Sequence, residues 1–179
     1  MSGCAHTLPS SSTCYDHPAM IATVQVLIII TVANAAPVVL SFLLGKRNGQ
    51  PVDGGRHWRD GRRMFGPSKT VRGVVAAVIA TTLVTVLLGL PLAAGAAAGI
   101  LAMAGDLASS FTKRRLGLVP SSRFIGLDQV PEAFLPLLAL VPLPMISPAS
   151  GITAAALFVL LGPPASWVLY RAGIRREPH

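Results

Sequence analysis

The cations of this chain are gathered in three places, and apolar sequence fills the space between them. All 15 Lys and Arg fall within residues 46–72, 113–123 and 171–176. Five apolar runs separate or flank these clusters: 20–44, 71–90, 93–112, 131–147 and 151–170. Each approaches the roughly 20 residues that a helix needs to cross a bilayer. With five crossings, the three basic clusters lie on one side, and the N-terminus and two short turns that carry no Lys or Arg lie on the other. Basic loops stay in the cytoplasm. The sequence therefore predicts an all-α integral membrane protein with five transmembrane helices, the N-terminus outside and the C-terminus cytoplasmic, in the cell (inner) membrane.

Composition supports that reading. Hydrophobic residues make up 52% of the chain and charged ones 12%, with a mean hydropathy of +0.62. An ordinary soluble domain is far more charged. The net charge of +8 would suit nucleic acid, but cations confined to one membrane face argue against such a partner. Pro136, Pro142, Pro144 and Pro148 predict a short, kinked or partly unwound fourth span, and Pro163-Pro164 a kink in the fifth. Residues 1–19 are polar and lack the basic start of a signal peptide. They read as a disordered tail ahead of an uncleaved anchor, and Cys4 and Cys14 within them imply no thiol chemistry. Residues 20–179 form one membrane domain without repeats, with cytoplasmic loops at 45–70 and 113–130 and outer turns "GLPLAAG" and "ISPASG".

One acid stands clearly inside a span. In a helix, Asp106, Ser109, Ser110 and Lys113 share a face. Asp106 then sits about 10 Å deeper than Lys113 along the axis. A carboxylate at that depth costs several kcal/mol unless a cation, a metal or water attends it. A structural ion pair between helices is one explanation. The polar stripe running to the surface favours another, a metal ligand at the floor of a water-filled cytoplasmic cavity.

The loop "PVDGGRHWRDGRRMFGPSKTVRG" carries much of the positive charge among glycines. It reads either as a surface held against anionic headgroups or as a flexible phosphate clamp. In the second reading Lys69 and Arg72 stand at a helix N-terminus that itself attracts anions. It is not a Walker loop, because Pro67-Ser68 separates Gly66 from Lys69 and no strand precedes it. Lys113, Arg114 and Arg115 end the third span, where cations also suit the helix dipole. Asp128 could converge with Asp106 on one or two Mg²⁺, a hard ion that takes oxygen ligands. Glu132 is the weaker candidate and is expected to pair with an arginine. His57 reads as merely polar. Asn34 could donate into the cavity, and "GAAAG" (95–99) predicts close packing of the third span.

Taken together, "ANAAP", "KT-x-RG", "GDLASSFTKRRLGL" and "GLDQVPEAFLP" resemble the CDP-archaeol synthase family of membrane cytidylyltransferases, over nearly the whole chain from Met20. The resemblance implies transfer of CMP from CTP to an isoprenoid ether-lipid phosphate, giving CDP-lipid and pyrophosphate with Mg²⁺. It implies that Asp106 and Asp128 hold metal and act with Lys113 in catalysis. Lys69, Thr70, Arg72, Ser109, Ser110, Arg114 and Gln129 would contact the nucleotide and its phosphates. One departure stands out. Where the family reads DQ-x-D, this chain has Pro131 and then Glu132, which leaves the second metal ligand and the exact lipid open. Implied partners are CTP, the lipid phosphate and membrane lipids, with a homo-oligomer left open. Alternatives are the same transfer to phosphatidate or another lipid phosphate, or a non-enzymatic anion transporter, although no internal symmetry supports the latter. A scaffold that only binds anionic lipid leaves Asp106 without a role.

Overall fold

A computed structural model describes residues 12–44, 49–117 and 128–171. Six helices follow one another: α1 (Ser12–Leu44), α2 (Val71–Leu87), α3 (Leu92–Arg115), α4 (Gln129–Phe134), α5 (Leu137–Leu140) and α6 (Pro148–Arg171). Among the described residues there is no strand, only two isolated bridges in the loop before α2. Two segments, His17–Leu44 and Leu92–Arg115, are long and apolar enough to cross a membrane. Val71–Leu87, Gln129–Leu140 and Pro148–Gly162 are shorter apolar helical stretches.

One element boundary departs from the expectation. α1 starts at Ser12, so the second half of the supposed disordered tail is helical. Extending a formed helix is far cheaper than nucleating one, and polar residues flanking an apolar core segment can join it. The fourth span is broken, as its prolines predict. Pro136 has no N–H to continue the ladder, and tighter bonds from Leu138 to Leu135 and from Ala139 to Pro136 take its place (3.1 and 3.0 Å). Beyond Leu140 the chain proceeds by turns past Pro142 and Pro144. The Pro163-Pro164 pair does not end α6, which runs on to Arg171.

Small residues let α2 and α3 touch. A Cβ at Gly95 would stand 2.7 Å from Cβ of Thr85, and one at Gly99 2.9 Å from Cα of Val78. The close packing predicted from "GAAAG" is therefore present, with α2 as its partner. Thr81 and Thr85 are fully buried there, and their hydroxyls donate back to Ala77 and Thr81 carbonyls (2.6 and 2.7 Å). That local bond leaves no polar atom stranded in the seam. The main core joins Val26, Ile29 and Ile30 of α1 to Ala133, Leu140 and Ala154. A smaller cluster, Ala33, Ala77, Ala102 and Met103, links α1, α2 and α3. Large apolar side chains such as Leu87, Leu138 and Leu160 point outward, as expected of helices solvated by hydrocarbon. Asn34 donates to Ile30 O of its own helix (2.9 Å) rather than into a cavity.

Candidate active site

The loop ahead of α2 is a folded cap, which corrects the expectation of a flexible clamp. Its base is pinched shut by Val52 N donating to Lys69 O (2.8 Å) and Val71 N to Gln50 O (3.0 Å). Its hub is Asp53, whose side chain is fully buried. The carboxylate accepts from Gly55 N (2.9 Å), Phe65 N (3.2 Å) and Gly66 N (3.0 Å), and meets Arg63 at 3.3 Å. Burial alone would raise its pKa. The N–H groups of Gly66, Gly55 and Phe65, with Arg63, more than reverse this and hold the carboxyl below the ordinary value. Nothing in the residue order marks Asp53, since its partners lie up to 13 positions away.

The cap docks on the end of α3. Arg62 donates to the carbonyls of Arg114 and Arg115 (3.1 and 3.4 Å), satisfying acceptors a helix end leaves open. Arg115 answers by pairing with Asp60 and donating to Arg63 O (3.0 Å). Phe111 packs edge-on to Trp58, with ring centroids 5.4 Å apart, and lies under the Arg115 guanidinium at 4.9 Å. Phe111, an apolar residue of α3, thereby anchors the cap. Gly66 has φ +102°, and a Cβ there would meet Arg114 Nη2 at 2.6 Å. Only glycine suits both demands.

Beneath this cap the two singled-out aspartates each meet a lysine. Lys69 donates to Asp106, and Lys113 lies 2.5 Å from Asp128. The four side chains are between 15% and 25% exposed, so both pairs are partly screened from water yet reachable. Ser109 is buried and donates to Asp106 O (2.9 Å). Ser110 is half-buried on α3. Thr70 is the N-cap of α2, its hydroxyl accepting from Gly73 N at 3.3 Å, so it fixes the helix start between Lys69 and Arg72. Arg114 lies under the cap against Gly66. Gln129 turns to α6, where a Cβ on Gly162 would meet its Nε2 at 2.6 Å. Its Oε1 is buried with no hydrogen-bond partner among the described residues.

Glu132 takes an unexpected place. Its carboxyl lies beside Asp106, within electrostatic reach of Lys69 and Asp128, and among the described residues it forms no ion pair with an arginine. Gly105 makes this possible. A Cβ at that position would stand 2.5 Å from Pro131 O and 2.9 Å from Glu132 N, so α4 can lie directly on α3. The displaced acid of "DQVPE" is thereby delivered beside Asp106.

These donors suit a hard divalent cation only in part. Among the described residues no group of three His, Cys, Asp or Glu is disposed to hold a metal ion. Mg²⁺, however, commonly takes one or two carboxylates and completes its shell with phosphates and water. The Asp106–Glu132 contact, with Asp128 nearby, offers that donor chemistry.

The family of CarS-like proteins described as CDP-archaeol synthase matches residues 18–100. A CDP-archaeol synthase of Thermococcus gammatolerans is 36% identical over 162 residues, covering 82% of this chain and 88% of that one. The chain belongs to the CDP-archaeol synthase family. Two other CDP-archaeol synthases match over less. That of Thermococcus onnurineus is 38% identical over 55% of this chain and 61% of its own, and that of Pyrococcus furiosus 40% over 54% and 60%. The chain thus spans about three fifths of those two relatives' length. A solved structure, described as an intramembrane enzyme for archaeal membrane lipids biosynthesis, has a TM-score of 0.66 at 32% identity. It covers 79% of this chain and 90% of that one. In this CDP-archaeol synthase family member, the stretch matched by the family includes the cap, Lys69, Thr70 and Arg72, while Asp106 and Asp128 lie beyond it.

Proposed function

We propose that this chain is an integral membrane cytidylyltransferase that moves CMP from CTP to a lipid phosphate, releasing pyrophosphate. By family the acceptor is an isoprenoid ether-lipid phosphate. The observation that carries the reading is the pair of lysine-neutralised aspartates, Lys69–Asp106 and Lys113–Asp128, at one end of the bundle beneath a basic cap. The same charge clustering supports five spans, with this end in the cytoplasm, where CTP is available.

An acceptor phosphomonoester has a second pKa near 6, so it is largely ionised at neutral pH. No serine, cysteine or histidine base is needed. An acceptor oxygen attacks the α-phosphorus of CTP, the bond to the β-phosphate oxygen breaks, and pyrophosphate leaves with the electron pair. Binding requires cations already aimed at this end of the bundle. Lys69 and Lys113 supply them, and both can swing from carboxylate to phosphate without leaving the site. Thr70 holds Lys69 and Arg72 in register by capping α2. Asp106, with Asp128 or Glu132, would hold Mg²⁺, which when bound supplies neutralisation of the charge developing on the transferred phosphoryl group. The cap covers the site, and Arg114 beneath it adds a fixed positive charge. Membrane lipids surround the chain in this reading, and nucleic acid has no part in it.

Incorporation of radiolabelled CTP by the purified protein tests the proposal. The lipid panel holds an isoprenoid diether phosphate, phosphatidate and a neutral diether. Label is expected in the phosphate-bearing lipids, greatest with the isoprenoid one. Incorporation into none of them would refute the assignment.

A further inference from the structure

A groove of about 460 Å³ opens on the outside of the bundle between α1 and α2. Leu40 of α1 forms one wall, and Val71, Val75 and Ile79 of α2 the other. Gln50 and Arg72 close the end next to the cap. We propose that this groove seats the lipid-phosphate substrate, with the phosphate at Arg72 and Gln50 and one hydrocarbon chain along α2. The proposal rests on the cytidylyltransferase reading for the identity of the lipid.

Three observations converge on that occupant. The apolar wall is a stripe: Val71, Val75 and Ile79 recur every fourth residue and are 47–54% exposed. From Val71 to Ile79 the stripe runs about 12 Å, enough to seat the headgroup-proximal part of a lipid chain. Next, charge complements an anionic headgroup at one end only. Arg72 brings a guanidinium whose fork fits phosphate oxygens, and the α2 N-terminus adds the positive end of its dipole. Finally, the polar end adjoins the reaction site. Arg72 lies one turn from Lys69, which pairs with Asp106, and Thr70 fixes the two by capping. A phosphate at Arg72 therefore stands beside the nucleotide site while its chain stays in hydrocarbon.

The groove runs beside a seam where the two helices stay in contact, through Pro37 and Gly73 and then Ala33 and Ala77. A Cβ on Gly73 would lie 3.3 Å from Pro37 Cβ. Small Ala76 lines the groove without filling it. A lipid can thus slide in sideways from the membrane without parting the core.

Site-specific photocrosslinking tests this directly. A benzophenone amino acid is placed at Val75, or at Leu160 of α6, which is 70% exposed and outside the groove. The full chain is reconstituted in phosphatidylcholine vesicles with a trace of radiolabelled isoprenoid diether phosphate. Labelling at Val75 should exceed that at Leu160 by about tenfold and fall on adding unlabelled lipid phosphate but not neutral diether. Equal labelling at both positions, without competition, means bulk membrane lipid only and overturns the proposal. A kinetic arm uses Val75→Trp, which fills the groove. KM for the lipid phosphate should rise about tenfold with KM for CTP unchanged, a loss of uniform binding. Leu160→Trp should alter neither. An unchanged lipid KM in Val75→Trp also sinks the groove. If the unsubstituted protein transfers no CMP at all, the cytidylyltransferase reading fails, and the crosslinking still decides whether the groove takes a phosphate-bearing lipid.

Discussion

Lys69, immediately before the cap of α2, donates to the carboxylate of Asp106 in α3, joining segments 37 residues apart. The pair explains how a carboxylate is tolerated inside an apolar helix. An isolated one there would cost several kcal/mol. It also leaves a lysine and an aspartate within reach of a nucleotide.

Asp106→Asn should cut CMP transfer by at least about a hundredfold while leaving the fold intact, because the amide keeps the shape and loses the charge. Radiolabelled CTP incorporation measures the first, and size exclusion in detergent with far-ultraviolet circular dichroism the second. Turnover equal to that of the unsubstituted protein would remove Asp106 from the mechanism.

Lys69→Ala separates nucleotide binding from lipid binding. If Lys69 moves to phosphate, KM for CTP should rise about tenfold or more, and KM for lipid phosphate far less. Equal rises in the two would place Lys69 in a merely structural pair.

Asp53 ties the cap to pH. Its native pKa is depressed below the ordinary 3.8, so the unfolded cap binds the proton more readily than the folded one. The resulting stabilisation is fully present above that ordinary value and disappears as pH falls through the lower native one. Asp60 shifts the same way. Desolvation would raise it, but the Arg62 N–H and Arg115 outweigh that. Trp58 fluorescence, recorded in a Trp167→Phe background, should report loss of the cap below about pH 4. Asp53→Asn should loosen the cap by about 1.5–3 kcal/mol at neutral pH and flatten the acid transition. An acid transition identical in the two proteins would count against Asp53 as the hub.

Gly105→Ala places a methyl group against the Pro131 carbonyl. Backbone cannot yield as a side chain can, and overpacking of this kind costs about 1–3 kcal/mol. Thermal melting in detergent should fall accordingly, and transfer should drop with it, since α4 carries Asp128 and Glu132 to the site. Gly99→Ala should also destabilise, through the α2–α3 seam, but with a smaller effect on activity in the protein that remains folded.

Arg115→Ala removes the Asp60 pair, two bonds to cap carbonyls and the cation over Phe111. Trp58 emission should shift to the red, and proteolysis within residues 54–64 should speed up about tenfold or more. Unaltered emission and proteolysis would mean that the cap stands without its α3 contacts.

Much of this was legible in residue order. The helical segments are marked by long apolar runs, and the broken fourth span by its prolines. Charge partition singled out the end of the bundle where Lys69, Asp106, Lys113 and Asp128 meet. "GAAAG" announced a close helix contact through side-chain size alone. Three features were not legible, for a common reason. Asp53 is one acid among arginines until the loop folds around it, Phe111 is one more apolar residue on a helix, and Glu132 is an acid shifted by one position. Each acquires its role from a partner distant in sequence, and local spacing carries no trace of that partner.

Sequence by itself determined the helical class, the apolar spans and the gathering of charge, because hydrophobic period and charge sidedness are properties of short segments acting against a bilayer. Tertiary structure alone decided which lysine meets which aspartate, that a glycine beside Asp106 admits the α4 backbone, and that the basic loop closes into a cap on α3. Those outcomes depend on which helix faces pack within contact distance. Packing is settled by the whole set of side-chain volumes at once, so no single stretch could announce it.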